Sequence, residues 1–386
     1  MRLSPCLLVS LSDSEKPVSL LTIALLIGTF ALAFTATALL VPPVMRLCRR
    51  RGWLARPGGR RLHAQPTPNV GGIAIYSGFV LALLGTFAFD RFLLRSEFEQ
   101  LRLTLLLAGG TLIFLVMWLD DVRELPPLPK FVAQALAALI AVGPFMWDHT
   151  LYPPGDQARG IILTAFKFPF VEQVNLYNIS PWLAMIATIF WIGWMTNTIN
   201  FVDGIDGLAA GVSLIAALAL AFNALRQNPQ QTTIALLPLA LAGACAGFLL
   251  FNFPPARIFM GDSGAEFLGY VLGVSAIIGG AKLATVLLVL GVPILDVAWL
   301  IVARALAGRS PAQGGRDHLH LRLLDLGFST RQIVIFYYAL SASFGVLGIY
   351  GAEPRFKLLA LALLALIVAA VIVYVSRRAA ATGSSV

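Results

Sequence analysis

The segment Asn197-Thr198-Ile199-Asn200-Phe201-Val202-Asp203-Gly204-Ile205-Asp206-Gly207-Leu208 joins two apolar runs and carries two asparagines, two aspartates and two glycines. Charge inside a bilayer is costly and is kept there mainly for function, so the segment is expected at a membrane face, where a non-helical break can line a cavity. Two carboxylates this close favour a positive partner, such as a metal ion or a phosphate-bound Mg²⁺. A pair of helix-capping aspartates with turn glycines is the alternative.

The composition is that of a polytopic membrane protein. Of 386 residues, 58% are hydrophobic and 12% are charged, and the mean hydropathy is +0.83. Soluble domains carry about 25% charged residues. The three cysteines, Cys6, Cys48 and Cys245, are too scattered for a disulfide framework or a zinc site. The net charge of +9 is attributed to orientation in the lipid bilayer, and no nucleic-acid partner is expected.

Apolar windows long enough to cross a bilayer predict the fold class, an all-α polytopic membrane protein with about eleven transmembrane helices in a single domain over residues 1–386. The windows are 18–42, 71–90, 102–119, 131–147, 181–199, 207–225, 232–251, 264–280, 283–304, 331–350 and 356–376. The connection 148–180 has alternating apolar residues near Phe166–Val174 and predicts a short periplasmic hairpin over the bundle.

The first loop predicts the orientation. Between Val44 and Val70 there is no acidic residue, and the loop carries the arginines Arg46, Arg49, Arg50, Arg51, Arg56, Arg60 and Arg61. By the positive-inside rule this loop is cytoplasmic, which puts the N-terminus outside and, after eleven helices, the C-terminus in the cytoplasm. The polar segments 120–130, 197–206, 252–263 and 305–330 then share the cytoplasmic face. His63, near the end of the first loop, is either an interfacial side chain or a ligand.

Adjacent carboxylates, Asp120 and Asp121, end the apolar run Thr111–Leu119. The C-terminal end of a helix already carries partial negative charge, so this arrangement predicts a nearby cation. Lys130, Arg123 or a divalent metal would serve. The alternative is a solvated helix end.

A further carboxylate, Asp262, stands with Ser263 between two glycines, directly before another apolar run. Backbone N–H groups at such a helix start favour phosphate, and Asp262 is suited to bind Mg²⁺ beside it. An ordinary N-cap aspartate explains Asp262 equally well, although not the flanking Met-Gly and Ser-Gly pattern.

The longest cytoplasmic loop is basic and contains two histidines. Its polar residues include Arg304, Arg316, Asp317, His318, His320 and Arg322. Histidines at positions i and i+2 do not share a helix face, so the segment is predicted to be a loop or a strand-like clamp. With the arginines around it, it is suited to hold a pyrophosphate. A zinc site is less favoured, because no thiolates are near. Mg²⁺ held by one or two carboxylates and substrate phosphates is usual in phosphoryl transfer, so a cytoplasmic donor and a bilayer-resident acceptor are expected.

In four motifs and in their order, the chain resembles the polyprenyl-phosphate N-acetylhexosamine-1-phosphate transferases. Its final motif, His318-Leu319-His320 followed by Arg322-Leu323-Leu324, is similar to the His-Leu-His-His-Arg-Leu-Leu of the undecaprenyl-phosphate GlcNAc-1-phosphate branch. The related phospho-MurNAc-pentapeptide transferases have three consecutive histidines there. The resemblance implies transfer of GlcNAc-1-phosphate from a UDP-N-acetylhexosamine to undecaprenyl phosphate with release of UMP, in the bacterial inner membrane. It also implies Mg²⁺ or Mn²⁺ as cofactor, and a homodimer.

The predicted site combines these motifs. Its catalytic residues are Asp120, Asp121, Asp203 and Asp206, and its metal ligands are Asp262 and Asp203. Its substrate-binding residues are His63, Lys130, Asn197, Asn200, Asn252, Arg304, Asp317, His318, His320 and Arg322. By the resemblance, one of the paired aspartates is the base that deprotonates the lipid phosphate, or else orients it.

Three positions depart from the family pattern. Gly315 stands where relatives usually carry Asp, Leu321 where they carry a further His, and Ala312 where they carry Phe. All three lie in the predicted donor loop, so they bear on sugar specificity more than on the metal. The alternatives are the phospho-MurNAc-pentapeptide transferase of peptidoglycan synthesis, an inactive relative that acts as an assembly partner, and an ion-coupled transporter. A transporter would place its carboxylates near the midplane, often in repeated halves, which the sequence does not show.

Overall fold

The structure is a computed structural model that describes residues 20–55, 66–143, 160–166, 174–227, 230–280, 283–306, 308, 318–351 and 353–381. Its helices are α1 (Leu20–Arg51), α2 (Gly72–Phe87), α3 (Asp90–Leu93), α4 (Glu97–Arg123), α5 (Pro127–Val142), α6 (Leu176–Ile179), α7 (Pro181–Val202), α8 (Leu208–Leu225), α9 (Thr232–Asn252), α10 (Gly261–Ile278), α11 (Leu283–Val289), α12 (Gly291–Leu306), α13 (Leu319–Asp325), α14 (Thr330–Tyr350) and α15 (Pro354–Ala381). Its strands are β1 (Leu54–Ala55), β2 (Thr67–Pro68), β3 (Ala165–Phe166) and β4 (Val174–Asn175).

The helices confirm an all-α polytopic membrane protein. Among the described residues, seven helices are long and apolar enough to cross a membrane, or eight if a bent pair counts as one crossing. Two further apolar helices, α2 and α5, are shorter. The count of about eleven crossings therefore stays a prediction, as does the orientation.

The helix α10 is the centre of the bundle. Every one of its residues except Asp262 is buried, and it packs against α2, α4, α7 and α8. Most of its residues are apolar, and such a helix is stable only when neighbours surround it. Close approach depends on small residues: a side chain at Gly269 would collide with the backbone of Met195 and Thr196 on α7. Asp262 is thus the one residue through which α10 reaches the surface of the bundle.

The prediction of one helix over 283–304 is wrong. Instead, α11 and α12 meet at an angle of 82°. Pro293, in the first turn of α12, has no N–H, so the carbonyl of Val289 loses its helical hydrogen bond at this point. Gly291 lies directly against Leu364 of α15, which leaves no room for a side chain there. The bend redirects α12, whose Asp296 reaches the last polar segment of the chain.

Two short antiparallel ribbons connect the helices. In the first, Leu54 pairs with Pro68, and the carbonyl of Pro68 accepts a hydrogen bond of 2.8 Å from the N–H of Phe259. The arginine-rich end of α1 therefore lies at the same end of the bundle as the start of α10. In the second ribbon, Phe166 pairs with Val174, as the predicted hairpin requires. The rest of that prediction, 144–159 and 167–173, lies outside the described residues.

Candidate functional site

The polar motifs converge on one end of the bundle. The C-terminal ends of α4, α7 and α9 meet there with the N-terminal ends of α5, α8 and α10, joined by side-chain contacts across the helix ends. Opposed helix ends attract, because the partial negative charge of a C-terminus meets the partial positive charge of an N-terminus. The convergence that the sequence predicted is therefore present in the structure.

Lys130 supplies the cation that the paired aspartates of α4 require. Its ammonium group forms a short ion pair with Asp120 and lies 3.0 Å from Oδ2 of Asp262. The other oxygen of Asp120, Oδ1, accepts a hydrogen bond of 2.7 Å from the N–H of Leu125. Asp120 is buried with both oxygens occupied, whereas the side chain of Asp262 is 37% exposed. Of these two carboxylates, Asp262 is the one a ligand can reach.

Asp121 caps the start of α10 from another helix. Its carboxylate accepts hydrogen bonds from the N–H of Asp262 at 2.8 Å, from the N–H of Ser263 at 3.1 Å and from the Ser263 hydroxyl at 2.6 Å. The prediction that these N–H groups bind phosphate is therefore wrong, because a carboxylate already occupies them. Gly261 has a φ of +72° and lies against this carboxylate, which leaves no space for a Cβ.

The central segment is a non-helical turn, as predicted for a membrane face. The helix α7 ends at Val202 and α8 begins at Leu208. Oδ2 of Asp206 accepts a hydrogen bond of 2.8 Å from the N–H of Ala256, so this buried residue joins the turn to the loop before α10. Burial, followed by the negative charges of Asp262, Asp121 and Asp206, raises the pKa of Asp203 well above its ordinary value. A cation bound here would relieve that repulsion.

Asn252 joins two loops of the site. It is 2% exposed; its Oδ1 accepts from the N–H of Gly207 at 3.0 Å, and its Nδ2 donates to the carbonyl of Ile258 at 2.8 Å. The Tyr338 hydroxyl of α14 donates to the carbonyl of Gly207. With both ends of its amide occupied by backbone, Asn252 holds the walls of the site in place and is not turned toward a ligand.

We expect Asn252→Ala to destabilise the protein by about 2–4 kcal/mol, because it leaves a buried N–H and a buried carbonyl without partners. Thermal unfolding in detergent micelles would measure the loss. Asn223→Ala is the matched control, since Asn223 is a buried asparagine at the other end of α8 from the site. Its amide bonds two side chains, Thr285 at 2.8 Å and Gln227 at 3.3 Å. Donor affinity that fell sharply with no loss of stability would instead assign Asn252 to substrate contact.

One helical turn further along α10 from Asp262, three amide side chains and one carboxylate form a hydrogen-bonded cluster. Glu266 accepts hydrogen bonds of 3.0 Å from Asn200 and of 3.0 Å from Gln134. Asn197 donates to Gln134 at 2.8 Å and to the carbonyl of Gly193 at 2.8 Å. The predicted ligand Asn197 is thus held between helices, while Asn200 is partly exposed. Gln134 and Glu266 were not among the predicted site residues, although each follows a predicted site residue by four positions on the same helix face.

The final polar segment is helical at its end. Residues 319–325 form α13 and His318 is its N-cap, so the prediction of a loop or strand-like clamp is wrong. The extended backbone at the N-cap brings the rings of His318 and His320 into a stack with centroids 5.4 Å apart. Asp296, which the site prediction omitted, contacts Nδ1 of His318 at 3.1 Å and accepts from the N–H of Leu319 at 2.9 Å.

His320 lies between this segment and the central turn. Its ring lies against Gly204 so closely that a side chain there would collide with it. Burial lowers the pKa of His320 to about 4, so its imidazole is neutral at pH 7. Arg304 is buried in the last turn of α12, and Arg322 lies on α13. The predicted residues His63 and Asp317, and the departures Ala312 and Gly315, lie outside the described residues.

The carboxylates of the site fit a cation that is held partly by the substrate. In the described part of the chain, no three His, Cys, Asp or Glu side chains are grouped closely enough to hold a metal by themselves. Mg²⁺ normally takes one or two carboxylates and fills its remaining positions with phosphate oxygens and water. Asp262, which is reachable, and Asp203, which makes no hydrogen bond or ion pair with another described side chain, meet that description.

Known proteins are similar to this chain over most of its length. Residues 103–280 match the family described as glycosyl transferase family 4. The chain is 30% identical to a probable undecaprenyl-phosphate N-acetylglucosaminyl 1-phosphate transferase of Bacillus subtilis, covering 83% of each chain. It is 35% identical to the decaprenyl-phosphate N-acetylglucosaminephosphotransferase of Mycolicibacterium smegmatis, over 86% of this chain and 82% of the relative. A phospho-N-acetylmuramoyl-pentapeptide-transferase of Moorella thermoacetica is 32% identical, over 83% of this chain and 96% of the relative.

These relatives match most of the chain, and the family match over residues 103–280 includes α5, α7, α8, α9 and α10. All three are named as transferases, and two of the names specify a polyprenyl phosphate and N-acetylglucosamine phosphate. The chain therefore belongs to the polyprenyl-phosphate N-acetylhexosamine-1-phosphate transferase family, whose members are membrane-bound phosphoglycosyltransferases.

Proposed function

We propose that this enzyme transfers GlcNAc-1-phosphate from UDP-GlcNAc to undecaprenyl phosphate in a Mg²⁺-dependent reaction that releases UMP. The product would start a cell-surface polysaccharide. Relatives named for N-acetylglucosamine transfer, at 30% and 35% identity, support this donor. The His318-Leu319-His320 motif supports it as well, because it lacks the three consecutive histidines of the muramoyl-pentapeptide enzymes. For this reason, transfer of phospho-MurNAc-pentapeptide is the less favoured function.

One observation carries the proposal. Asp262, the only residue of α10 that is not buried, emerges beside Lys130 at the point where the ends of α4, α5 and α7 meet. Burial, followed by the negative charge of Asp262, raises the pKa of Asp203. A pair of carboxylates with one lysine is suited to a cation and a diphosphate together. An ion-coupled transporter has no comparable support, since the relatives are transferases.

The proposed reaction is an in-line displacement. An oxygen of the lipid phosphate attacks the β-phosphorus of the UDP-sugar, the bond to the α-phosphate oxygen breaks, and UMP leaves with that oxygen. Bound Mg²⁺, held by Asp262 and Asp203, would offset negative charge on the diphosphate and on departing UMP. Lys130 is placed to approach a phosphate oxygen, because its ammonium already lies beside Asp262. Electrostatic positioning would supply most of the rate.

The paired aspartates of α4 hold other residues of the site in position. Asp120 holds the ammonium of Lys130, and Asp121 holds the start of α10. With their oxygens engaged in these contacts, orientation is the better-supported role for both, and deprotonation of the lipid phosphate is the less-supported one. His318, fixed by Asp296, and neutral His320 stand beside the central turn, where they would contact the donor.

The site is proposed to face the cytoplasm of the bacterial inner membrane. The ribbon of β1 and β2 ties the arginine-rich end of α1, with Arg49, Arg50 and Arg51, to the same end of the bundle as Asp262. Positively charged loops favour the cytoplasmic side. A UDP-sugar donor is made in the cytoplasm, and the polyprenyl phosphate would enter laterally from the bilayer. A homodimer remains a prediction from the resemblance.

Incubation of the purified enzyme with Mg²⁺, undecaprenyl phosphate and labelled UDP-sugars tests the proposal. We expect UMP release with UDP-GlcNAc to be at least about tenfold faster than with UDP-MurNAc-pentapeptide. A donor whose sugar does not match the binding residues loses more than about 1.4 kcal/mol of binding free energy, which corresponds to a factor of ten. Faster turnover of the pentapeptide donor would favour phospho-MurNAc-pentapeptide transfer as the function. Absence of turnover with every UDP-sugar would favour the inactive assembly partner.

A further inference from the structure

A buried carboxylate lies beneath the proposed cation site and has no part in the proposed mechanism. Glu266 is 2% exposed and lies one helical turn from Asp262 on α10. Its Oε1 accepts a hydrogen bond of 3.0 Å from Nδ2 of Asn200, and its Oε2 accepts one of 3.0 Å from Nε2 of Gln134. Burying a carboxylate is costly even when it is hydrogen-bonded, and an apolar residue would pack here at less cost.

Two side-chain contacts, which we call rungs, join α5 to α10, and Glu266 belongs to the lower one. Lys130 and Asp262 form the upper rung at 3.0 Å, and Gln134 and Glu266 form the lower one at 3.0 Å. Within each helix the two members are four residues apart and therefore lie on the same face. Asn200 adds α7 to the lower rung, three residues before Asp203. Glu266 thus lies where the three helices that carry the reachable polar groups are joined.

A carboxylate in this position determines which way the neighbouring amides face. An asparagine side chain has an NH₂ donor on one side and a carbonyl acceptor on the other, whereas both oxygens of Glu266 act as acceptors in this structure. Glu266 therefore selects the NH₂ group of Asn200 and leaves the carbonyl oxygen on the opposite side. Glu266 is buried, whereas Asn200 is partly exposed, as a residue that contacts a ligand has to be. Gln134 obeys the same rule, since its Oε1 accepts from Asn197 at 2.8 Å.

We propose that Glu266 is a positioning residue that holds Asn200 with its carbonyl oxygen toward the site, where it accepts an N–H or O–H of the nucleotide-sugar donor. The inference rests on the proposed function for the identity of that donor. It adds a requirement for a carboxylate at position 266, which controls the affinity for the donor more than the rate of the chemical step.

Exchange of the two side chains tests this role. Glu266→Gln replaces one accepting oxygen with an NH₂ donor, so one amide must turn, and we expect KM for UDP-GlcNAc to rise roughly tenfold with kcat within about threefold of wild type. Asn200→Asp sets two carboxylates against each other and should impair the enzyme at least as much. The double variant E266Q/N200D restores one donor facing one acceptor, keeps the net charge, and leaves an oxygen facing the site. It should recover KM to within about threefold of wild type.

Glu97→Gln is the matched control, because Glu97 is an exposed carboxylate in the first turn of α4, at the other end of the bundle. An unchanged KM in E266Q would overturn the inference. So would a loss of both kcat and thermal stability in E266Q that the double variant does not recover, since that outcome assigns Glu266 a packing role alone. Failure of the wild-type enzyme to turn over UDP-GlcNAc would instead count against the proposed function, on which the inference rests.

Discussion

Asp262→Ala is expected to lower kcat for Mg²⁺-dependent UMP release by at least about a thousandfold, the scale on which charge-stabilising groups act in phosphoryl transfer. The substitution removes the one reachable carboxylate of α10 and leaves Asp203 as a single ligand. It also frees Lys130 to pair with Asp120 alone. UMP release should be measured over a range of Mg²⁺ concentrations, because a metal site that is weakened but still present recovers turnover when more Mg²⁺ is added.

The fold should survive this change. Asp262 is partly exposed, and the hydrogen bond that fixes its position comes from its backbone N–H to Asp121, which alanine retains. Thermal unfolding close to that of wild type is therefore expected, and Glu97→Ala serves as the control for loss of a distant carboxylate. Retained Mg²⁺-dependent activity in Asp262→Ala would remove this residue from the metal site.

Asp121→Ala is expected to lower kcat about a hundredfold and, unlike Asp262→Ala, to destabilise the protein by about 2 kcal/mol. It removes three hydrogen bonds at the start of α10, and loss of a helix cap typically costs about 0.5–2 kcal/mol. The start of α10 then shifts, and small displacements of a reacting group are costly in rate. Activity and thermal unfolding measured on the same preparations would check both effects.

Asp121→Asn distinguishes capping from base catalysis. Asparagine retains one acceptor oxygen for the N–H groups of Asp262 and Ser263 but cannot take up a proton near neutral pH. A capping role predicts that Asp121→Asn is intermediate between wild type and Asp121→Ala in both rate and stability. Equal loss of rate in the two variants, with the stability of Asp121→Asn preserved, would contradict capping and support the base.

The sequence was sufficient for the features that depend on charge and helix ends. Paired carboxylates at the end of α4 required a cation, and Lys130 is that cation. The run with Asp203 and Asp206 was expected to break the helix, and the break falls between Val202 and Leu208. In both cases a local rule, the unfavourable placement of charge, determines the outcome.

Other features depended on contacts between distant segments, which no local rule contains. Gln134 and Glu266 are 132 positions apart in the chain and meet only because α5 packs on α10. Asp121 looked like a catalytic residue in isolation, and its capping role needs the start of α10 to be placed opposite it. The pairing of Asp296 with His318 likewise depends on the bend between α11 and α12.

Locating a bound metal tests the central claim most directly. The enzyme would be crystallised with Mn²⁺ and UDP-GlcNAc, and the anomalous signal of manganese would give the position of the ion. We predict one ion between the carboxylates of Asp203 and Asp262, at the distance typical of Mg²⁺, roughly 2.1 Å, and in contact with the diphosphate of the donor. An ion bound to the diphosphate but remote from both carboxylates would contradict the account.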